Sequence, residues 1–306
     1  MTKVSNYYDA TANQYRPFHR LEGENRCDVC VIGAGFTGLG TALELAIAGF
    51  DVLVLEAEKV GFGASGRSGG QIASGYSPGM IETENTVGTD VAKRLWEFSE
   101  LSKEILYGRL STYGIDCDLG EGELYAAPKK SHEAWLRQEK EHCEDRYGYA
   151  GYDWIETDRL RCMIGGKRYI SALYDREGGH LHPLNYTVGL AAAATSEGAR
   201  ICESSKAVSV RQEGGSVTVE TEAGTVKAEA IVLAGNAYLT AFNLGQKNRF
   251  IPVNSGILAT EPLGDDRAQE VMATTACVAD TYFDLDYFKM SADNRLIYGG
   301  QDLSFG

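Results

Sequence analysis

Hydrophobic residues near the start of the chain predict a strand, a helix and a second strand in quick succession. The first strand contains Cys27, Val29, Val31 and Ile32, and the second runs from Asp51 to Leu55. The segment between them has the apolar character of a helix that packs on a sheet. This order of elements is typical of an α/β fold with parallel strands.

A glycine-rich turn, G-A-G-F-T-G, joins the first strand to the helix. In such a turn Gly33 permits the sharp bend, Gly35 lets the backbone approach a pyrophosphate, and Gly38 lets the helix pack on the strand. The helix N-terminus favours phosphates through its N–H groups and its dipole. Glu56 ends the second strand about 20 residues later, where its carboxylate can accept hydrogen bonds from both ribose hydroxyls. The pattern therefore predicts a bound adenine dinucleotide.

A second glycine-rich run, G-F-G-A-S-G-R-S-G-G-Q, occupies residues 61–71. A nicotinamide enzyme has no evident use for this run. A flavin enzyme lays an extended cofactor across the sheet, so small residues that permit close backbone approach fit that role, and Arg67 can offset pyrophosphate charge. The two glycine runs together favour a flavin dinucleotide.

With these motifs the chain resembles the FAD-dependent amine and amino-acid oxidases of the D-amino-acid oxidase class. The resemblance lies in the two glycine-rich runs and in residues 5–12, 178–185, 231–239 and 286–300, and it extends over essentially the whole chain. It implies an FAD-binding, Rossmann-like domain that is interleaved with an antiparallel-sheet substrate domain.

We expect the N-terminal arm and the first FAD-binding segment at residues 1–89, and the second FAD-binding segment at 184–248. An interdomain helix and the first part of the substrate domain are expected at 90–183, and its second part at 249–306. These boundaries follow the family's interleaved organisation.

The motifs and the resemblance together predict which residues contact FAD. They are Gly33, Gly35, Phe36, Thr37, Gly38, Glu56, Ala57, Ser65, Gly66, Arg67, Gly69, Gly70, Gln71, Val208, Ala234, Gly235 and Asn236. The resemblance implies that backbone near Val208 meets the adenine and that the strand end at Gly235 approaches the cofactor. By pattern alone, Gly235 marks only a tight turn.

Helical spacing over Asp90–Leu110 predicts a helix that packs between the domains through an apolar stripe. The stripe consists of Val91, Leu95, Phe98, Leu101 and Ile105. A second helix, Ser131–Tyr147, is charged over most of its surface, which indicates a solvated face. A third, Asn185–Glu197, is rich in alanine, and Gly198 is placed to end it.

Alternating and apolar patterns predict the strands that follow this third helix. They are expected at Ala207–Val210, Val217–Thr221, Thr225–Ala228 and Ile231–Ala234. The last is short and fully apolar, which is typical of a buried parallel strand.

Three further strands are predicted near the end of the chain, at Ile251–Thr260, Tyr282–Met290 and Leu296–Tyr298, with a turn at residues 292–294. The resemblance implies that their sheet covers the reactive face of the flavin. The substrate-facing candidates are Tyr282, Tyr287, Lys289 and Tyr298. Each is also consistent with core or solvated surface, and no catalytic base is assigned.

The resemblance implies oxidation of the carbon–nitrogen bond of a primary or secondary amine. Hydride would pass from the α-carbon to flavin N5, water would convert the imine to an aldehyde, and O2 would reoxidise the flavin and give hydrogen peroxide. An oxidase or dehydrogenase acting on sarcosine, glycine or a D-amino acid is an alternative within the class. Outside it, the alternatives are a nicotinamide-linked dehydrogenase and a non-catalytic or partner-dependent flavoprotein.

Members of the class normally continue past the position where this chain stops at Gly306. The additional segment carries a glycine-rich turn near the flavin pyrimidine and a last helix. We therefore expect the 306-residue sequence to be a fragment or to lack part of the cofactor site.

The net charge of −14 disfavours nucleic acid and anionic membranes as partners and favours a cationic amine. The N-terminus is polar and aromatic, unlike a signal peptide, and no apolar run is long enough to span a bilayer. Seven scattered cysteines, an odd number, argue for a reducing compartment rather than a disulfide framework. A cytoplasmic location is expected.

Two short motifs raise the question of metal or redox chemistry. Cys27 and Cys30 form a C-x-x-C, but their odd spacing on a strand predicts opposite faces and separate structural thiols. His180 and His182 share a strand face and, with Glu177, could suggest a metal site. No further ligand pair supports it, so we favour a structural turn and expect no metal.

Overall fold

The computed structural model describes residues 6–241 and 255–301. This part of the chain separates into two compact units. The first comprises residues 6–68, 115–117 and 183–241, and the second comprises residues 69–114, 118–182 and 255–301. The chain thus passes between the units repeatedly, as expected for an interleaved fold. The first division falls at 68/69 rather than at 89/90, because residues 71 and 72 pair with a strand of the second unit.

Eight helices and fourteen strands occur within the described ranges. The helices are α1 (Tyr7–Thr11), α2 (Phe36–Ile47), α3 (Met80–Val87), α4 (Thr89–Tyr113), α5 (Lys130–Tyr147), α6 (Thr157–Met163), α7 (Pro183–Ser196) and α8 (Asp265–Val271). The strands are β1 (Gly23–Ile32), β2 (Val52–Leu55), β3 (Gln71–Ile72), β4 (Gly120–Ala127), β5 (Tyr152–Ile155), β6 (Ser171–His180), β7 (Arg200–Cys202), β8 (Ser209–Glu213), β9 (Ser216–Glu220), β10 (Gly224–Leu233), β11 (Ser255–Ala259), β12 (Cys277–Asp280), β13 (Tyr287–Met290) and β14 (Leu296–Gln301). None of the described helices is both long and apolar enough to cross a membrane.

The first unit is built on a sheet with the strand order β7-β2-β1-β10-β9-β8 among the described residues. The first four strands are parallel, and β9 and β8 continue the sheet as an antiparallel hairpin. Strand β2 is buried at every position because it lies between β1 and β7, and α2 packs against it. The predicted strand–helix–strand order at the N-terminus is confirmed.

Strand β10 differs from the prediction in length. The two strands expected at Thr225–Ala228 and Ile231–Ala234 form one continuous strand, which pairs with β1 from Gly224 to Leu233. Its last residues are only partly buried, and 39% of Leu233 is exposed. The expectation of a separate, fully buried strand is therefore wrong, although the parallel pairing is confirmed.

The two thiols of the C-x-x-C motif lie on one side of β1, not on opposite faces. The consecutive N–H groups of Asp28 and Val29 both donate to the carbonyl oxygen of Asp51, the hydrogen-bonding pattern of a β-bulge. Such an irregularity changes the alternation, so Cys27 and Cys30 enter the same apolar cluster. Interaction with the Cys30 thiol lowers the pKa of Cys27.

The second unit is built on a sheet with the order β11-β14-β13-β12-β4-β6-β3 among the described residues, and β5 pairs with β6. All pairs are antiparallel except β12 with β4. Strand β13 begins at Tyr287, so the strand expected from Tyr282 is shorter because residues 281–286 form a loop. Strand β11 covers part of the predicted Ile251–Thr260, and residues 251–254 lie outside the described ranges.

Helix α4 is longer than predicted, and its buried face is not the predicted stripe. Ala92, Trp96, Ser99 and Lys103 are buried, whereas Val91, Phe98, Leu101 and Ile105 are each more than 40% exposed. The two sets lie on different sides of the helix. Trp96 stacks on Tyr147 and meets Tyr149 edge-on, with centroid distances of 5.1 and 5.0 Å. These aromatic contacts outweigh the apolar stripe in setting the orientation of the helix.

The orientation of α4 predicts unequal costs for two aromatic truncations. Trp96→Ala should lower the free energy of unfolding by roughly 3–5 kcal/mol, because it removes a buried ring and its two ring contacts. Phe98→Ala should change it by less than about 0.5 kcal/mol, since 68% of Phe98 is exposed. Urea unfolding, followed by the backbone signal in far-UV circular dichroism, gives the free energy of unfolding of both variants. A cost for Phe98→Ala as large as that for Trp96→Ala would mean that the predicted stripe is the packed face.

Candidate functional site

The turn between β1 and α2 is packed so closely that side chains cannot be added to its glycines. Gly33 has φ 109°, and a Cβ there would lie 2.6 Å from the carbonyl oxygen of Ala234. A Cβ at Gly38 would overlap the carbonyl oxygen of Gly33 itself. The backbone of α2 therefore starts directly above the carboxyl end of β1. This is where the first turn of a helix leaves N–H groups without intrahelical acceptors.

The second glycine-rich run folds back onto this turn within the first unit. The Oγ of Ser65 accepts a hydrogen bond from the N–H of Phe36 at 3.0 Å, and the N–H of Gly61 donates to the carbonyl of Ala34 at 3.0 Å. A Cβ at Gly35 would lie 2.7 Å from the same Ser65 Oγ. The two runs, separate in sequence, thus form one small-residue surface at the start of α2.

Glu56 stands at the carboxyl end of β2, next to the turn. Its Oε2 accepts from the N–H of Ala34 at 2.8 Å and its Oε1 from the N–H of Glu58 at 3.0 Å. Burial raises the pKa of this carboxyl group, and the backbone hydrogen bonds partly offset the rise. The carboxylate is thereby fixed at the edge of the sheet, beside the N-terminus of α2.

Two further predicted contacts of the first unit, Ala234 and Asn236, follow the end of β10, whereas Val208 and Arg67 do not. Ala234 donates its N–H to the carbonyl of Ile32 at 2.8 Å, and Asn236 has φ 49° at the end of the strand. Val208 is 50% exposed and donates its N–H to Glu220. Arg67 stacks over the ring of Phe62, with 4.7 Å between its guanidinium carbon and the ring centroid. Except for Arg67 and Val208, these residues lie at the carboxyl ends of adjacent parallel strands, the usual ligand position in such sheets.

Gly69, Gly70 and Gln71 belong to the second unit. A Cβ at Gly69 would lie 2.8 Å from the ring of Tyr287, and the carbonyl of Gly70 accepts from the N–H of Leu181 at 2.8 Å. Gln71 opens β3 and donates from Nε2 to Glu123 at 3.3 Å and to the carbonyl of Val278 at 3.4 Å. The end of the glycine-rich run is thus anchored to the sheet of the second unit.

Two of the four substrate-facing candidates share one face of β13. Tyr287 packs over Gly299 of the neighbouring strand as well as over Gly69. Lys289 is 4% exposed, and its Nζ donates to the carbonyl of Leu181 at 2.6 Å. Their two-residue spacing places both side chains on the same side of the sheet.

The other two candidates lie elsewhere. Tyr298 stacks on Phe288 at 5.9 Å, and Phe288 packs against the apolar cluster on the opposite face of β13. Burial and a hydrogen bond with Asp286 raise the pKa of Tyr298. Tyr282 lies in the loop before β13, where its ring meets His132 edge-on at 5.1 Å. The structure therefore does not bring the four residues together.

A buried polar network in the second unit escaped the sequence analysis. The carboxylate of Asp175 accepts from Tyr149 at 2.5 Å and from Ser74 at 2.6 Å, and the Nζ of Lys103 donates to Ser74 at 2.5 Å. Glu123 faces Asp175 in the register of β4 and β6. Burial raises the pKa of Glu123 to about 8. The available signal was a carboxylate directly beside an apolar run, residues 172–174 for Asp175 and residues 124–127 for Glu123.

Neither proposed metal motif has the ligands that a metal needs. Within the described ranges, no group of three or more His, Cys, Asp or Glu side chains is arranged to hold a metal ion. The Nε2 of His180 lies 2.9 Å from the carbonyl oxygen of Thr275, and burial lowers the pKa of both His180 and His182 to about 4. His182 immediately precedes Pro183, the first residue of α7. The segment is therefore a structural turn that leads into this helix.

Known proteins are similar to this chain over most of its length. The family model for FAD-dependent oxidoreductases (DAO) matches residues 28–306. Gamma-glutamylputrescine oxidoreductase of Escherichia coli K12 is 42% identical over 97% of this chain and 70% of its own length. A probable oxidoreductase, OrdL, of Haemophilus influenzae is 39% identical over 98% of this chain and 71% of its own.

Among solved structures, glycine oxidase from Geobacillus kaustophilus superposes with a TM-score of 0.67 at 21% identity. The match covers 90% of this chain and 71% of the other. At this identity the similarity concerns the fold. The chain therefore shares with that glycine oxidase an α/β fold in which a second unit, built on a sheet, is interleaved with the first.

The closely packed glycine turn, the second glycine run against it and the fixed Glu56 are suited to the extended, doubly charged backbone of FAD. Together with the family model, which matches most of the chain, and with relatives of 39–42% identity, they show that this protein belongs to the DAO family of FAD-dependent oxidoreductases.

Proposed function

We propose that this FAD-dependent oxidoreductase oxidises the carbon–nitrogen bond of an amine related to gamma-glutamylputrescine. The relative whose name states that substrate is 42% identical over 97% of the chain. That similarity is the single observation that carries the choice of substrate. The net charge of −14 also favours a cationic amine over an anionic substrate.

The residues of the first unit would hold the cofactor. N–H groups at the start of α2 receive the pyrophosphate, close backbone approach is possible at Gly33 and Gly35, and Glu56 accepts from the ribose hydroxyls. Bound FAD supplies a two-electron acceptor for the amine. The role of the chain is to fix the reacting groups in position and to exclude competing water.

On the substrate side, Tyr287 and Lys289 are the candidates that share one face. Because the Lys289 ammonium is held at the carbonyl of Leu181, it adds a fixed positive charge to this part of the second unit. Such a charge disfavours an ammonium ion close by and favours the neutral amine that is needed for oxidation. We further propose O2 as the electron acceptor. We also propose the cytoplasm as the location, because the cysteines in the described part of the chain form no disulfide.

The amine assignment predicts that substrate bleaches the flavin. Anaerobic addition of gamma-glutamylputrescine to the FAD-loaded protein should remove the oxidised flavin absorption, because two electrons pass from the amine to the cofactor. Stopped-flow absorbance measures the rate, and glycine and sarcosine are the comparison substrates. Reduction by a 2-hydroxy acid but not by saturating amines would refute the assignment. Faster reduction by glycine or sarcosine would indicate an amino-acid oxidase instead.

The position of Glu56 predicts weaker FAD binding when its carboxylate is removed. Glu56→Ala should raise the FAD Kd by roughly tenfold or more, since each charge-assisted hydrogen bond contributes about 1.5–3 kcal/mol before compensation. Glu56→Arg should be worse. Glu58→Ala, an exposed carboxylate two residues away, is the matched control and should bind FAD normally. Flavin fluorescence titration gives the Kd values, and wild-type affinity in Glu56→Arg would mean that this side chain does not meet the ribose.

A further inference from the structure

The side-chain amide of Gln71 is held in one orientation. Both protons of its Nε2 have acceptors, Oε1 of Glu123 at 3.3 Å and the carbonyl of Val278 at 3.4 Å. An amide nitrogen carries only two protons, so both hydrogen-bond donors of the Gln71 side chain are occupied. The Oε1 end lies 3.5 Å from the position of a Cβ on Gly69, within the glycine-rich run.

Glu123 is itself rigidly placed. It is 2% exposed and lies on β4. Strand β4 pairs with β12, which carries Val278, and with β6, whose other neighbour is β3 with Gln71. Its second oxygen, Oε2, accepts from the hydroxyl of Tyr125 at 2.9 Å. A buried carboxyl group with both oxygens in hydrogen bonds cannot turn without leaving a buried polar atom unpaired, which is unfavourable.

We propose that Glu123 is a positioning residue that locks the amide of Gln71, so that Gln71 presents its carbonyl oxygen to the bound FAD as a hydrogen-bond acceptor. Without Glu123, the amide can rotate and present its N–H groups instead. The flavin ring gains N–H groups when it is reduced, so a fixed acceptor stabilises the reduced cofactor. This inference rests on the proposed placement of FAD along residues 61–71, and it assigns Glu123 no contact with substrate.

Several titratable groups surround Glu123. The groups that face it are Tyr125, Asp175 of β6, Lys103 and Tyr107 of α4, Tyr152 of β5 and Cys277 of β12. Burial raises the pKa of Tyr107 to about 12, and those of Tyr125, Tyr152 and Cys277 lie well above their usual values. Burial raises the pKa of Glu123 to about 8, which lies below the pKa values of these tyrosines and of Cys277.

The first test uses the protein without added FAD and follows the Gln71 side-chain amide by 15N NMR. In the wild type the amide resonances should shift with a midpoint near pH 8, as the carboxyl group is neutral below and ionised above that pH. Glu123→Gln keeps an acceptor for Gln71 and should retain its exchange protection but lose the pH transition. Glu123→Leu should accelerate exchange of the Gln71 amide by roughly tenfold, as expected for a lost hydrogen bond.

Tyr125→Phe is the matched control, because it removes the other hydrogen bond of Glu123 and leaves Gln71 untouched. It should keep the protection of the Gln71 amide. If Glu123→Leu does not fold, the exchange protection of the Gln71 amide in the wild type and in Glu123→Gln decides the question. A Gln71 amide that exchanges freely in the wild type, or that keeps its full protection in a folded Glu123→Leu variant, would overturn the locking role.

The second test measures the flavin midpoint potential of the FAD-loaded variants. Gln71→Leu and Glu123→Leu should both shift it to more negative values, and the double variant should shift no further than the larger single change, because both act through one acceptor. Glu123→Gln should stay near the wild type. Additive shifts, or wild-type potentials in both leucine variants, would overturn the proposal. Failure of amines to reduce the wild-type flavin would refute the proposed substrate and leave this comparison intact.

Discussion

The contact between the start of α2 and the carboxyl end of β1 is the constraint on which the first unit depends. Gly38 has no room for a side chain against the carbonyl of Gly33, and Gly33 has none against Ala234, which directly follows β10. Helix, turn and two parallel strands are therefore held together by backbone approaching backbone. The same closeness places the start of α2 at the carboxyl ends of the parallel strands and brings Ser65 and Glu56 beside it. This packing supports the proposed pyrophosphate site without relying on a charged side chain.

Buried polar groups have the corresponding role in the second unit. Asp175, Lys103 and Glu123 are each 5% exposed or less, and each has hydrogen-bond partners, so their burial is compensated. They connect the loop at Ser74 and the strand at Gln71 to the sheet and to α4. These hydrogen bonds hold the segment that follows the glycine-rich run in place. They connect the sheet of the second unit to Gln71, one of the residues predicted to contact FAD.

Sequence alone could predict the strand–turn–helix unit because every step there is local. Gly33, Gly35 and Gly38 have fixed spacing, and Glu56 follows from the length of one helix and one strand. The face of α4 could not be predicted in this way, since its orientation depends on Trp96 meeting two tyrosines that lie about fifty residues later. The pairing of Cys27 with Cys30 required a bulge formed by hydrogen bonds to Asp51 of the following chain segment. The link between Glu123 and Gln71 likewise depends on which strands become neighbours.

Competition for the cofactor site tests the central claim most directly, namely that the glycine turn and Glu56 hold the adenosine diphosphate half of FAD. ADP shares that half with FAD, whereas FMN shares only the flavin half. Displacement of bound FAD can be followed by separating protein from free flavin and measuring the FAD that stays with the protein as either competitor is added. The account predicts that ADP displaces FAD and that FMN at the same concentration does not. Displacement by FMN together with indifference to ADP would contradict it.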